Sequence, residues 1–225
     1  MAKPKLLDKN FSWTPNLAYA IGLLTTDGCL STDKRHIIMR SSEPELLKTF
    51  KQCLNIDNKI GTTKNGNIIS YRVQFGSVQF YNWLIKIGLF PAKTYTIGEI
   101  NVPDKYFKDF LRGHLDGDGN ISTYQDKYNT FKNPKYIYIR LWVRFISASK
   151  KHMLWLQDSM KRNLDVVGSI HEAKPANPEK QVSIWVLKFG KKESNKLLSQ
   201  LYYQNNLPSL ARKRKIAEKF IGAYN

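Results

Sequence analysis

Two stretches of the chain are apolar at helical rather than alternating spacing, Leu17 to Leu30 (LAYAIGLLTTDGCL) and Phe110 to Ile121 (FLRGHLDGDGNI), and each closes on an Asp-Gly pair. Both carry a glycine five residues before that aspartate, Gly22 before Asp27 and Gly113 before Asp118, and the second copy stands 91 residues after the first. Thr14-Pro15 and Val102-Pro103 predict helix starts, because proline fits a first turn that needs no N–H donor. Gly28 and Gly119 are read as the left-handed residues that end the two helices. A glycine inside a helix costs about 1 kcal/mol relative to alanine. Two at matching positions therefore predict a close backbone approach, with Ala18, Gly22 and Gly113 where the helices cross.

The rest of each half follows the same order. Phe11 and Trp13, at the end of a basic lead-in, are expected to pack as the first helix begins. Leu30 to Ser41 reads as a hairpin turning at Asp33-Lys34-Arg35, and Glu43 to Leu54 as an amphipathic helix with Leu46, Leu47, Phe50 and Leu54 inward. Lys59 to Phe75 reads as a second hairpin around Asn65-Gly66-Asn67, and Val78 to Ile87 as a helix closed by Gly88 and Pro91. In the second half Phe189-Gly190 followed by Leu198 repeats Phe75-Gly76 followed by Leu84. Leu154 is taken as the counterpart of Leu46, which leaves a surplus in Tyr124 to Tyr136, a polar and basic hairpin extension. A final helix is predicted over Leu207 to Tyr224.

Strand alternation shows which side faces outward. Ile137, Ile139, Leu141, Val143 and Phe145 alternate with Tyr138, Arg140, Trp142 and Arg144, and Tyr71, Val73 and Phe75 with Arg72 and Gln74. Period two predicts an apolar core face and an open face of Arg, Gln, Tyr and Trp. Such a face suits the DNA major groove, where arginine bridges guanine O6 and N7 and glutamine bridges adenine; a solvated sheet face is the plainer alternative.

Charge narrows the partner. The 225 residues hold 36 Lys+Arg against 18 Asp+Glu, a net charge of +18, which favours a polyanion, nucleic acid before anionic membrane. No apolar run approaches transmembrane length and no signal-type core follows the first residues, so a soluble intracellular protein is expected. Cys29 and Cys53 read as buried thiols, and His36, His114, His152 and His171 are scattered singly, so neither a disulfide framework nor a zinc site is expected. His114, one turn before Asp118, is expected to pack rather than to catalyse.

The paired aspartates need their own explanation, since a carboxylate in the last helical turn faces the negative end of the macrodipole. If the helices lie side by side, Asp27 and Asp118 meet at one end and repel. A hard divalent cation such as Mg²⁺, held between two carboxylates and a phosphate, relieves that repulsion. Asp116-Gly117-Asp118-Gly119-Asn120 also begins like a calcium-binding EF-hand loop, but Ile121 stands where glycine is needed and Lys127 where glutamate is needed.

Gly22-Leu23-Leu24-Thr25-Thr26-Asp27-Gly28 and Gly113-His114-Leu115-Asp116-Gly117-Asp118-Gly119 resemble the two signature helices of the LAGLIDADG homing endonucleases in their single-chain, two-repeat form. Thr25 departs from the acidic residue common at its position and Asp116 keeps it. The resemblance implies an α+β fold of two pseudo-symmetric αββαββα half-repeats, residues 1–100 and 101–225, with the signature helices at their interface and antiparallel sheets forming a DNA-binding saddle. It implies a site-specific endonuclease that acts as a monomer, hydrolyses one phosphodiester on each strand of a long double-stranded target, and supports intron or intein mobility. Asp27 and Asp118, with Gly28 and Gly119, would hold two or more Mg²⁺ ions, with Mn²⁺ substituting and Ca²⁺ binding without cleavage. Lys93 and Lys213, near the ends of the two repeats, would act at the scissile phosphates, with Arg212 the nearest rival. The expected DNA contacts are Arg35, Arg40, Lys64, Arg72, Gln74, Lys132, Tyr138, Arg140, Trp142, Arg144, Lys174 and Lys180. Members of the same family also serve as intron RNA maturases and as non-cleaving DNA-binding regulators, so intron RNA stands as an alternative partner. The expected location is archaeal cytoplasm or an organelle.

Overall fold

The computed structural model describes residues 11–66, 68–175 and 182–221. The first half runs α1 (Pro15–Thr26), β1 (Gly28–Leu30), β2 (His36–Ser41), α2 (Pro44–Leu54), β3 (Ile60–Asn65), β4 (Ile68–Gly76) and α3 (Val78–Lys86). Two 3₁₀ turns, Lys93–Tyr95 and Asp104–Tyr106, lead into the second half: α4 (Phe107–Asp118), β5 (Asn120–Asp126), β6 (Tyr138–Ser147), α5 (Lys150–Leu164), β7 (Ser169–Ala173), β8 (Ile184–Phe189), α6 (Lys191–Leu201) and α7 (Ala211–Glu218). The two antiparallel sheets share one strand order, β1-β2-β4-β3 and β5-β6-β8-β7, as the repeat in the sequence predicts.

α1 and α4 form the centre. Residues Leu17 to Thr25 of α1 are all buried, which is the state of a helix with neighbours all round. The interior glycines explain how the two helices sit so close. A Cβ on Gly22 would collide with Phe110 O and come within 2.7 Å of His114 N, and one on Gly113 would collide with Tyr19 O. Backbone therefore meets backbone, and no side chain fits between.

Helix α1 starts as predicted, with Pro15 in its first turn and the Thr14 hydroxyl accepting from Leu17 N at 3.1 Å. Pro103 differs: it opens the 3₁₀ turn ahead of α4 rather than the helix itself. The left-handed endings expected at Gly28 and Gly119 are also absent. Asp27 ends α1 in a right-handed conformation, and Gly119 is extended at φ −81° and ψ 166°. What excludes a side chain there is proximity, since a Cβ on Gly28 would lie 2.5 Å from Leu24 O and one on Gly119 2.5 Å from Leu115 O. The chain leaves each helix tightly folded back on its last turn and passes directly into edge strand β1 or β5.

Four further expectations change. Leu154 is 44% exposed, and matching the left-handed residues that close α2 and α5, Asn55 and Asp165, makes buried Leu156 the partner of Leu46. Leu141, Val143 and Phe145 are fully buried, whereas Ile137 and Ile139 are 46% and 49% exposed, because the β5–β6 hairpin outruns the core that its inner residues cover. The last helix spans Ala211–Glu218, with Leu207 to Leu210 outside any regular element ahead of it, and the expected end at Tyr224 lies outside the described residues. Cys29 is exposed and Cys53 half-buried rather than both being buried. Phe11 and Trp13 pack as expected, on Phe80 and Trp83.

Candidate active site

Each helix delivers its aspartate at the end of its last turn. Asp27 caps α1, its N–H bonded to Leu23 O, and its carboxylate reaches across to α4: a Cβ on Gly117 would be 2.6 Å from Asp27 Oδ2. Asp118 is the next residue along α4, so the two carboxylates meet where the helices end. Burial, then the Asp118 charge, pushes the Asp27 carboxyl up to about 6, against the Thr26 hydroxyl and the ammonium groups of Lys213 and Lys93. Asp118 is open to solvent on one side and backed by protein on the other; that desolvation raises its pKa, against the two lysines.

The lysines are buried cations that close the helix ends. Lys93, 7% exposed, donates from Nζ to Gly28 O at 2.7 Å. Lys213, 2% exposed, donates to Leu115 O, Asp116 O and Gly119 O at 2.6, 2.8 and 2.7 Å. Carbonyls at a helix C-terminus have no partner within the helix and carry the negative end of its dipole, so an ammonium there is doubly favoured. Burial lowers the pKa of Lys93, and brings that of Lys213 down to about 8. Arg212 turns the other way, making a two-pronged ion pair with Glu43 of the first half at 2.9 and 2.7 Å.

The second half adds a polar clamp that sequence reasoning missed. Arg112, fully buried, donates to Pro208 O, Leu201 O and Asp109 Oδ1 at 2.9, 2.9 and 2.8 Å. Asp116 Oδ2 accepts from Leu210 N at 2.7 Å and from the Tyr19 hydroxyl of the facing helix at 2.8 Å. The segment that carries Lys213 is thereby pinned to α4. A charged residue inside an apolar helix was the available signal, and Arg112 and Asp116 replace Ile21 and Thr25 of the first copy.

The two carboxylates fit a small hard cation. Mg²⁺ keeps several waters and takes one or two carboxylates plus substrate phosphate, and two crowded, partly desolvated anions favour its charge. Among the described residues no group of three or more His, Cys, Asp or Glu could hold a metal ion, so water and phosphate would complete the shell. The carbonyls of Gly28 and Gly119, expected as further ligands, each already accept a lysine ammonium.

Arg40, Arg72, Gln74, Tyr138, Arg140, Trp142 and Arg144 lie on the open faces of their strands, whereas Lys64, opposite Ile69, takes the parity of the core residue Val73. Arg35, Arg40, Lys64, Arg72, Gln74, Lys132, Tyr138, Arg140 and Lys174 are exposed, and Trp142 and Arg144 half-buried; Lys180 lies outside the described residues. Arg40 faces Arg72 across β2 and β4, and Arg144 faces Lys188 across β6 and β8. Lys188, which was not anticipated, stands 3.8 Å above the Trp142 ring. Arg140 is paired with Asp126 at 2.7 Å, which ties it to its own hairpin.

Two helices crossed through glycine backbones, an aspartate at each tip and a four-stranded antiparallel sheet on either side define the LAGLIDADG homing endonuclease fold, and the chain has that fold. No protein-family model and no curated protein matches it. Among solved structures it is similar to the I-LtrWI LAGLIDADG homing endonuclease bound to target DNA, with a TM-score of 0.57 and 11% identity over 92% of this chain and 88% of that one. The homing endonuclease I-DmoI gives 0.55 and 17% over 91% and 97%, and has also been solved in complex with DNA and Mn. Full-length DUF199/WhiA from Thermatoga maritima gives 0.52 and 14%, over 94% of this chain and 62% of that one.

Proposed function

We propose that the protein is a divalent-metal-dependent, site-specific DNA endonuclease that cuts one phosphodiester on each strand of a long duplex target to leave a staggered break, acting as a monomer of two half-repeats divided near residue 100 and supporting intron or intein mobility. The observation that carries this reading is the meeting of Asp27 and Asp118 at one end of the crossed helices, with a buried lysine behind each. Asp27 and Asp118 would hold the cation, which when bound would supply charge neutralisation at the phosphate and an acidified water. Lys93 and Lys213 hold the helix ends in place and keep positive potential at the site, which favours ionised aspartates and steadies charge on the phosphate. The open faces, through Arg40, Arg72, Gln74, Trp142 and Arg144, grip the duplex on either side. The DNA-bound state of I-LtrWI and the DNA and Mn complex of I-DmoI support the same partner and metal class.

The experiment is selection from a randomised duplex library, recovering cut molecules with Mg²⁺ and bound molecules with Ca²⁺. The two pools should share one long site. A bound site that is never cut with Mg²⁺ or Mn²⁺ would leave a DNA-binding protein and remove the nuclease.

A further inference from the structure

His114 and His152 are both 1% exposed and stack at 5.2 Å with their rings 15° apart. Their Nε2 atoms are 3.0 Å apart, and His152 Nδ1 is 2.6 Å from Gly98 O. A carbonyl only accepts, so the proton of His152 sits on Nδ1. Burial disfavours a charge on either ring, as do the Lys93 ammonium and, for His114, the neighbouring imidazole; the backbone of His114 itself and Gly98 O pull the other way but do not outweigh burial, so both rings are neutral. His152 Nε2 is then an acceptor, His114 Nε2 the donor, and His114 Nδ1 a bare lone pair. That nitrogen is buried without a protein partner.

The His114 ring lines a cavity of about 70 Å³ shared with Thr25, Thr26, Lys93, Asp118 and Ser147. Two waters fit at roughly 30 Å³ each. No donor of the lining bonds His114 Nδ1: Thr25 and Thr26 give their hydroxyl protons to Ile21 O and Leu23 O, Lys93 bonds Gly28 O, and Ser147 Oγ accepts from Ser149 N. The cavity therefore calls for a water that donates to His114 Nδ1 on one side. Its second proton can go to Asp118 or to the threonine oxygens. The first half has no such arrangement, because Leu23 stands where His114 stands in the second.

We propose that His114 is a positioning residue: oriented by His152 and Gly98, it holds a buried water behind Asp118, so that one of the two cutting positions has a fixed water that the other lacks. The groups facing the pair are Lys93, Lys213 and Asp118, and burial holds the His114 pKa well below the ordinary histidine value, so the ring stays neutral and able to accept. This rests on the endonuclease reading only for its kinetic consequence; the hydrogen-bond arrangement stands by itself.

The test has two arms. In the metal-free protein, long-range ¹H–¹⁵N correlation spectra should show His114 protonated at Nε2 with a hydrogen-bonded Nδ1, and His152 protonated at Nδ1. The opposite tautomers, or a Nδ1 of His114 with no hydrogen bond, would overturn the proposal whatever the protein does to DNA. With each strand of the selected duplex labelled separately, His114→Leu, which copies Leu23, should slow one strand roughly 10–100-fold relative to the other and accumulate a nicked intermediate. His114→Gln, whose amide oxygen can accept from the same water, should recover part of that loss. Equal rates on both strands in a folded His114→Leu would overturn the strand effect, whereas a wild type that cuts no duplex would remove the endonuclease reading and leave the spectroscopic arm to decide.

Discussion

Lys213 makes three short bonds to the end of α4, whereas Lys93 makes one to the residue after α1. Each orphaned buried carbonyl costs about 1–3 kcal/mol, less where water replaces the ammonium. Lys213→Met should therefore lower unfolding stability by at least about 2 kcal/mol and Lys93→Met by about 1, measured in urea. Equal losses would mean that the bonds do not share the work this way. Asp27 acts in the opposite sense. Its carboxyl is raised from 3.8 to about 6, so between those values the folded state holds more proton than the unfolded, and stability falls as pH rises through that window. A shift of two units is worth about 3 kcal/mol at full burial, which the open side of the site cuts to roughly 1–2. Asp27→Asn should thus stabilise the metal-free protein at pH 7 and flatten its stability between pH 4 and 6; a destabilised variant would contradict the crowding of carboxylates.

At the scale of elements, the crossing of α1 and α4 decides where everything else falls. Replacing Gly22 by alanine gains about 1 kcal/mol of helix propensity but drives a methyl into the backbone of α4 at Phe110. Overpacking of that kind typically costs about 1–3 kcal/mol, occasionally more, and here it would also part the aspartates. Gly22→Ala and Gly113→Ala should each lower the melting temperature and reduce divalent-metal stabilisation; a variant as stable as wild type would show that the helices have room to spare. This crossing was legible in sequence because glycine in a helix has few other uses, and so was the succession of helices and hairpins along the chain, marked by period two and by the turn at Gly66. The ends were less legible. Ile137 and Ile139 keep the alternation past the edge of the core, since period records a face but not how far its cover extends. Leu154 fits a helical spacing that Leu156 fits too, and only the left-handed closing residue separates them. The clamp of Arg112 and Asp116 joins residues about 90 positions apart, which no local pattern encodes.

The whole molecule is asymmetric within its repeat. The polar clamp, the histidine pair and the long β5–β6 hairpin all belong to the second half, and Arg212 with Glu43 ties the last helix to the first half. On the proposed function, the net charge of +18 should make binding to duplex DNA depend steeply on salt, with log K falling by about 0.9 for every phosphate contact per unit log[salt]. Arg40 and Arg72 face each other on the first sheet. If one of them contacts phosphate, its replacement by alanine should reduce that slope by about 1 and leave the preferred site unchanged; if it reads a base, preference should relax at that position. A slope unmoved and a preference unmoved in both variants would place DNA elsewhere than on this face.

The joined tips of α1 and α4 are tested most directly by the single replacements Asp27→Asn and Asp118→Asn, with strand cleavage in Mg²⁺ and binding in Ca²⁺ measured on the selected duplex. Each should lose double-strand cutting while still binding the same site. Cutting at wild-type rates by both variants would mean that the two tips do not hold the metal.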